Sequence, residues 1–344
     1  MTYELTDGFK LSAGLRYTSV KKVATRAIRI GIGSPIAAAD VFQPFNLATT
    51  NPALLTTAGL NNNPFVDGET TYNKLMPTIS ATWEVAPAIT LYGSFTSGFK
   101  AGGYADGNTP NQFDSETVKA YEFGVKGSIL DRRLFLTLNA FHSQFKNLQQ
   151  ALSLISATGT IISVVGNAAD STSKGAEFTM TFKAHDRVTI NAAASYIDSK
   201  FNSYTTAACT QLQLATIGST CIQNLSGATT PFAPKFSANL GATITFPLFG
   251  DIALRAEPNV YYSDGYFLAP TNDPLVRQEA YVVYDLRLGF GPDDKSWEFA
   301  IVGRNLGNEA IKSTAASAVG TSPGLSYAVP QRARSVAFSI STKF

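Results

Sequence analysis

The stretch FKLSAGLRYT, residues 9–18, alternates apolar and polar side chains without interruption. Successive side chains of a β-strand point to opposite faces of the sheet, so this stretch predicts a strand with one apolar and one polar face. A soluble β-sandwich could also contain one such strand. The same alternation recurs about twelve times along the chain, and this repetition predicts an all-β, antiparallel barrel that spans a membrane.

The connectors between the predicted strands alternate between short and long. The approximate strand spans are 8–18, 72–85, 89–99, 115–129, 133–146, 174–183, 187–198, 234–246, 251–263, 279–290, 296–306 and 330–344. The short connectors are 86–88, 130–132, 184–186, 247–250 and 291–295. The long ones are 19–71, 100–114, 147–173, 199–233, 264–278 and 307–329. All short turns therefore lie at one rim, as in bacterial outer-membrane barrels, whose long loops are extracellular and whose short turns are periplasmic. The C-terminus should be periplasmic.

The composition fits such a barrel and argues against a nucleic-acid partner. Lys and Arg total 27 against 25 Asp and Glu, whereas a nucleic-acid binder normally carries a clustered basic excess. Charged residues make up 15% of the chain and hydrophobic residues 44%, which suits apolar side chains spread along strands. No run of about 18 apolar residues occurs, which excludes a transmembrane helix.

Aromatic residues mark both ends of the apolar faces. Beside the long connectors these faces end in Tyr17, Phe99, Tyr196 and Tyr262. Beside the short turns they carry Trp83, Phe182, Phe246 and Trp297. The apolar stretches between them run roughly 26 to 33 Å along a strand, close to the ~25 Å apolar band of an outer-membrane barrel. Two aromatic girdles are therefore expected at the membrane interfaces.

Several short motifs, in order along the chain, resemble the C-terminal barrel of TonB-dependent outer-membrane receptors. They are Gly14-Leu15-Arg16-Tyr17, residues 91–104 (LYGSFTSGFKAGGY), residues 121–126 (YEFGVK), residues 174–178 (KGAEF), residues 303–308 (GRNLGN) and the closing Phe344. Within the second motif, Gly102 and Gly103 would allow unusual backbone angles where the strand breaks into a loop, and Tyr104 could anchor that loop at the interface.

The resemblance implies that residues 1–344 form part of a larger barrel. Family members carry an N-terminal plug inside a barrel of about 22 strands. This sequence shows no plug, no energy-coupling box and about twelve strands, so it should be the C-terminal half of such a barrel, with Met1 to Leu5 as the tail of another strand. Residues 1–7 contain no export signal, so we expect the sequence to be incomplete at its start.

The function implied by the resemblance is active uptake of a scarce nutrient, foremost an iron–siderophore complex. The implied partners are outer-membrane lipid, the barrel assembly machinery, a ferric siderophore and a TonB-type energy-coupling complex acting through the missing plug. No cofactor, metal or catalytic residue is implied. The Gly- and Pro-rich segment 31–68 is a plausible substrate-recognising lid, but its composition does not identify a ligand.

Charged residues on the polar faces should line the lumen. Glu122 and Lys126 share the parity of Gly124, and Arg304 lies on the polar parity of its own strand, where it could pair with Glu298 or with a neighbouring strand. We interpret these charges as stabilising the wall and not as ligand contacts.

Three alternatives to a receptor remain open. An outer-membrane phospholipase would use Ser, His and Asn, and the chain contains adjacent His142 and Ser143, but their parity places them on opposite faces. The other histidine, His185, lies in a short turn and is expected to be solvated. A twelve-strand autotransporter translocator and a passive porin would both be closed barrels.

The sequence also predicts a disulfide and an assembly signal. Cys209 and Cys221, the only cysteines, lie in one long connector, and in an exported protein such a pair favours a disulfide over two free thiols. By resemblance, the apolar face of the last strand, which includes Phe338, Ile340 and Phe344, should act as the assembly signal. Thr342 departs from the bulky residue more usual at its position.

Overall fold

The computed structural model describes residues 1–27, 65–105, 111–155, 161–218, 221–317 and 326–343, and most of them form β-strands. Thirteen of these strands make one antiparallel sheet. We number them β1 (Thr2–Thr6), β2 (Phe9–Ala27), β3 (Phe65–Ala86), β4 (Ile89–Lys100), β5 (Glu116–Ile129), β6 (Leu134–Ile155), β7 (Ile161–His185), β8 (Val188–Ser203), β9 (Phe236–Phe249), β10 (Ile252–Ser263), β11 (Tyr281–Pro292), β12 (Trp297–Arg304) and β13 (Ser335–Thr342).

The strands follow one another through the sheet in chain order, and the sheet is open. Within the described residues, β1 pairs only with β2, and β13 pairs only with β12. The first and last strands therefore do not close the wall onto itself, which contradicts the closed barrel required by the autotransporter and porin alternatives. The extra strand β1 corresponds to the expected strand tail at Met1 to Leu5.

All twelve predicted strands exist, but several extend far beyond their predicted outer ends. The predicted connector 19–71 was wrong at both ends, because β2 and β3 remain paired as far as Ala27 and Phe65. Similarly, β6 and β7 remain paired as far as Ile155 and Ile161 within the predicted connector 147–173. Alternation fails as a predictor there, since a strand that extends beyond the membrane needs no lipid-facing apolar side.

The short connectors form tight turns at one rim. The link between β1 and β2 turns at Gly8, which has φ of +78°, a value that side-chain-bearing residues rarely adopt. Its carbonyl accepts a hydrogen bond from the backbone nitrogen of Glu84 at 2.8 Å, which ties this turn to the end of β3. We call this the short-turn rim and the opposite end the long-connector rim.

The strand register separates an apolar face from a polar one. Phe9 faces Trp83 across the pair β2–β3, and Tyr17 faces Leu75 at the other end of the same apolar face. Large side chains on this face are exposed, including Leu15 at 68% and Phe123 at 62%. An apolar face exposed over this many strands needs a lipid surround. In the described part of the chain, no helix is both long and apolar enough to cross a membrane.

Candidate functional site

The connector after β8 is a folded unit. It contains the short strand pair Ala207–Ala208 and Ile222–Gln223, with the helix α1 (Gln211–Ile217) between them. Thr210 begins the helix with a capping box: its side chain accepts a hydrogen bond from the backbone nitrogen of Gln213, whose side chain accepts one from the backbone nitrogen of Thr210. Cys209 and Cys221 flank this helix and are joined by a disulfide, with their Cα atoms 6.0 Å apart.

A small hydrophobic core joins the same connector to the outer parts of β7 and β8. The core consists of Phe201, Tyr204, Ala207, Leu225 and Ala169. The Phe201 and Tyr204 rings lie 4.9 Å apart, and both side chains are almost completely buried. Burial raises the pKa of Tyr204 to about 12, so the phenol is neutral at any physiological pH. The connector is therefore packed against β7 and β8 through this core and is cross-linked by the disulfide.

Three consecutive long connectors pack into one layer, which we call the connector cap and define as the described residues of 204–235, 264–280 and 305–334. The Gln223 amide nitrogen donates to the carbonyls of Ala208 (2.6 Å) and Thr271 (3.0 Å), linking the first two connectors. The backbone nitrogen of Lys312 donates to Gln278 Oε1 at 2.8 Å, linking the second and third. These hydrogen bonds join the described parts of the three connectors to one another at the long-connector rim.

A second core holds the cap together from inside. Leu268 and Val276 of the middle connector pack with Ala315 of the hairpin Lys312–Ser317 and Ser326–Pro330. On the middle connector the Arg277 guanidinium lies 5.6 Å from the centre of the Phe267 ring and 3.9 Å from the Glu279 carboxylate, and on the first connector Phe232 remains 57% exposed. The cap thus presents a cation and aromatic rings to whatever approaches the long-connector rim.

The connector after β4 folds back against the sheet. It forms the hairpin Gly103–Ala105 and Asn111–Phe113, and the Tyr72 hydroxyl donates to the Phe113 carbonyl at 2.9 Å. A Cβ on Gly102 would lie 2.1 Å from that carbonyl oxygen, so Gly102 is required by close approach and not by a left-handed backbone angle. Tyr104 differs from expectation as well, since its hydroxyl lies 2.6 Å from Thr70 Oγ1 and does not anchor the membrane interface.

Polar side chains cover the inner wall, as parity predicted for Glu122 and Lys126. The Tyr92 hydroxyl donates to Glu122 Oε1 at 2.8 Å, and its ring lies over Gly124. A shallow hollow of about 280 Å³ opens on this face, lined in part by Glu122, Asn139 and Glu177. The carboxylate and amide groups of the inner wall therefore line this hollow.

An ion-pair network occupies the short-turn end of this wall. Arg255 Nη1 lies 3.3 Å from Glu298 Oε2, Arg287 also pairs with Glu298, and Arg287 Nη1 lies 3.1 Å from Glu257 Oε1. The side chains of Arg255 and Glu298 are 5% and 9% exposed. Of the two pairings expected for Arg304, the one with Glu298 was wrong. Glu298 pairs with Arg287 on the adjacent strand β11 and with Arg255 on β10, whereas Arg304 lies at the opposite end of β12. Cross-strand contacts, not positions along one strand, decide this pairing.

The two histidines and the serine considered for a phospholipase do not come together in one site. The register places His142 opposite Tyr121 on the apolar face, with Ser143 opposite Ala120 on the polar face, which confirms the expected parity. His185 accepts a hydrogen bond from the backbone nitrogen of Arg187 at the short turn.

Phe338 and Ile340 lie on the apolar face, 81% and 70% exposed. Phe344 and most of the predicted lid, residues 31–64, lie outside the described residues.

Known proteins with similar sequence or structure include a metal-pseudopaline receptor, a ferric yersiniabactin uptake receptor and a siderophore receptor. The chain is 29% identical over 143 residues to the metal-pseudopaline receptor CntO of Pseudomonas aeruginosa, covering 41% of this chain and 19% of that protein. Its fold matches the ferric yersiniabactin uptake receptor FyuA of Yersinia pestis, with a TM-score of 0.70 at 16% identity, and the siderophore receptor PiuA of Acinetobacter baumannii, with 0.68 at 18%. These matches cover 98% of this chain but only 44% and 41% of those receptors.

The family assignment rests on a match that spans most of the chain. A model of the TonB-dependent receptor-like β-barrel matches residues 1–306, which include strands β1 to β12. The thirteen-strand open sheet and the partial coverage of the receptors agree that this chain supplies part of one such barrel. The chain belongs to the TonB-dependent receptor β-barrel family.

Proposed function

We propose that this chain is the recognition and wall-forming part of an outer-membrane receptor for the active uptake of a metal chelate, foremost an iron–siderophore complex. The observation that carries the proposal is the connector cap, in which hydrogen bonds join three connectors and Arg277 and Phe232 are exposed, at the long-connector end of a polar inner wall. A chelate whose ligands are anionic or aromatic suits such groups, because a guanidinium pairs with carboxylate or catecholate oxygens and aromatic rings stack.

The proposed path runs from the cap to the inner wall. The Tyr261 and Tyr281 rings lie 6.0 Å apart on the polar face at the long-connector ends of β10 and β11. Capture would begin at Arg277 and Phe232 of the cap and continue past these rings into the lumen. Energy for release would come from a TonB-type complex acting through a plug outside this chain.

The test is uptake by the full-length receptor in cells that otherwise lack it. A panel of radiolabelled iron–siderophores, together with nickel and zinc chelates of an aminocarboxylate metallophore, should give at least one chelate whose accumulation depends on the receptor and is abolished by an uncoupler. For that chelate, Arg277→Gln should weaken binding by about tenfold, while the exposed short-turn variant Lys295→Gln should not change it. Receptor-dependent leakage that survives the uncoupler would instead identify a passive porin.

We further propose that the barrel domain covers residues 1–344, with the long connectors extracellular and the C-terminus periplasmic. Pairing of β13 with β12 across eight residue pairs supports the extension beyond residue 306. Glu279→Cys in the cap, where the native side chain is 76% exposed, should react with a membrane-impermeant maleimide on intact cells. Asp186→Cys in a short turn, 90% exposed, should react only after cell disruption, and the reverse pattern would invert the proposed orientation.

The disulfide should form in exported protein. The bond closes a loop with a sequence separation of 12 residues, and loss of unfolded-chain entropy should stabilise the folded connector by about 2 to 3 kcal/mol. Alkylation of denatured, unreduced outer-membrane protein should leave Cys209 and Cys221 unmodified, and prior reduction should make both reactive. Two thiols alkylated without reduction would contradict the prediction.

Assembly should depend on the apolar face of the final strand. Val336, Phe338 and Ile340 form one outward row along β13, and Phe344 continues it in sequence. Deleting Phe344 from the full-length receptor should lower its level in the outer membrane several-fold, because by family resemblance the assembly machinery recognises the aromatic end. Replacing the neighbouring polar Lys343 by Gln is the matched control. An unchanged level after the deletion would remove this role.

A further inference from the structure

Gln223 lies between the first and middle connectors of the cap and uses its whole side-chain amide there. Its Nε2 atom donates to the carbonyls of Ala208 at 2.6 Å and Thr271 at 3.0 Å. Its Oε1 atom accepts a hydrogen bond from Gln213 Nε2 at 3.3 Å. A side-chain amide has two donor hydrogens, so both are committed to these carbonyls. A side chain without the amide would leave two partly buried carbonyl groups without this donor.

The first connector holds the Gln223 side chain in place from two sides. The disulfide joins Cys209 to Cys221, two positions before Gln223 in the sequence. Gln213 donates to Gln223 and is itself fixed by the capping box with Thr210. The amide is therefore presented to the middle connector by a segment that is both cross-linked and hydrogen-bonded.

Two more hydrogen bonds join the same two connectors. Asn272 Nδ2 donates to the carbonyl of Thr229 at 2.9 Å. The backbone nitrogen of Phe232 donates to the carbonyl of Phe267 at 2.9 Å. Together with the glutamine bond, both fall on residues 267–272 of the middle connector. This one segment is therefore held against the first connector at three points.

The held segment determines where Arg277 lies. The middle connector is a short hairpin in which Phe267 pairs with Arg277. The backbone nitrogen of Leu268 donates to the carbonyl of Val276 at 3.0 Å and continues that hairpin. The Arg277 guanidinium also lies 5.6 Å from the centre of the Phe267 ring, within cation–π range. A shift of the held segment would therefore carry the guanidinium with it.

We propose that Gln223 is a positioning residue for chelate capture, because it holds the middle connector against the disulfide-bridged first connector and so fixes Arg277 relative to Phe232. The inference rests on the proposed function, in which Arg277 and Phe232 make the first contact with the chelate. Gln223 does not contact the chelate in this arrangement. It raises affinity by preorganisation, since connectors that are already ordered lose less conformational entropy on binding.

The test is equilibrium binding of radiolabelled ferric citrate and ferric dihydroxybenzoate, a carboxylate and a catecholate chelate, to the full-length receptor in nanodiscs. Gln223→Met keeps the side-chain length and adds no charge but removes the amide, so it should weaken binding by about fivefold. In an Arg277→Gln background the same change should have no further effect, because a residue that acts through Arg277 then has nothing left to position. Gln331→Met, which changes an exposed glutamine of the third connector, is the matched control and should leave affinity unchanged.

Two further measurements test the route through the first connector. Amide hydrogen exchange of residues 264–280 should be faster in Gln223→Met than in the native receptor, while both migrate as folded, heat-modifiable barrels. The double variant Cys209→Ser with Cys221→Ser should weaken binding by a similar factor. Adding Gln223→Met to that double variant should then have little further effect, because both changes release the same segment.

The outcomes separate a failure of the positioning role from a failure of the receptor function. Binding that depends on Arg277 but is unchanged in Gln223→Met would overturn the positioning role alone. Equal weakening by Gln223→Met in the native and Arg277→Gln backgrounds would also overturn it, because the residue would then act independently of Arg277. If the native receptor and Arg277→Gln do not differ toward either chelate, the proposed first contact fails, and the positioning role fails with it.

Discussion

The isolated chain of residues 1–344 should fail to insert into lipid as a stable barrel. Its sheet ends in two strands, β1 and β13, that do not pair with each other. Unpaired backbone N–H and C=O groups facing hydrocarbon each cost several kcal/mol, and an open edge exposes a whole row of them. We expect the chain to aggregate through these edges when refolded in detergent or liposomes. The measurement is heat-modifiable electrophoretic migration, which a folded barrel shows and an open sheet does not.

The matched control is the full-length receptor refolded under the same conditions, which should migrate as a folded barrel. Supplying the upstream barrel strands as a separate chain should restore folding in part, because they provide partners for both edges. Heat-modifiable migration and ion conductance by the isolated chain would show that it closes on itself. That result would contradict the open sheet and would revive the porin and autotransporter alternatives.

Replacing Glu298 by Gln should destabilise the full-length receptor by about 3 to 5 kcal/mol, because the change removes the nearer carboxylate from the buried Arg255 guanidinium and leaves it only the exposed Asp293, at 3.7 Å. The Arg255 side chain is 5% exposed, so water cannot take over that role. Arg287 would lose a partner as well but would keep Glu257. The measurement is the free energy of unfolding in urea, followed by tryptophan fluorescence in lipid vesicles.

Two control variants test whether the burial of the charge determines the loss of stability. Glu257→Gln removes a carboxylate that is 38% exposed and pairs with Arg287, whose side chain is 29% exposed, so it should cost no more than about 1 kcal/mol. The double variant Arg255→Met with Glu298→Met should cost less than Glu298→Gln alone, because it removes both buried charges. Equal destabilisation by Glu257→Gln and Glu298→Gln would contradict the assigned role of burial.

The sequence alone located the membrane-spanning wall. Alternation along each strand identified all twelve predicted strands and the faces of Glu122 and Lys126, since a strand between lipid and water must alternate whatever its neighbours are. The tail at Met1 to Leu5 and the open barrel were likewise predicted, the first as β1 and the second from the number of strands. These features depend on local periodicity and on counting, both of which can be read from one chain.

Only the tertiary structure showed the length of the strands beyond the membrane, the connector cap and the partners of Glu298. Beyond the lipid both faces of a strand meet water, so alternation no longer marks where β6 and β7 end. The Arg255–Glu298 pair joins residues 43 positions apart, and the cap joins three connectors through hydrogen bonds such as Gln223 to Thr271. Such contacts are fixed by register and by packing between distant segments, and a single sequence records neither of them.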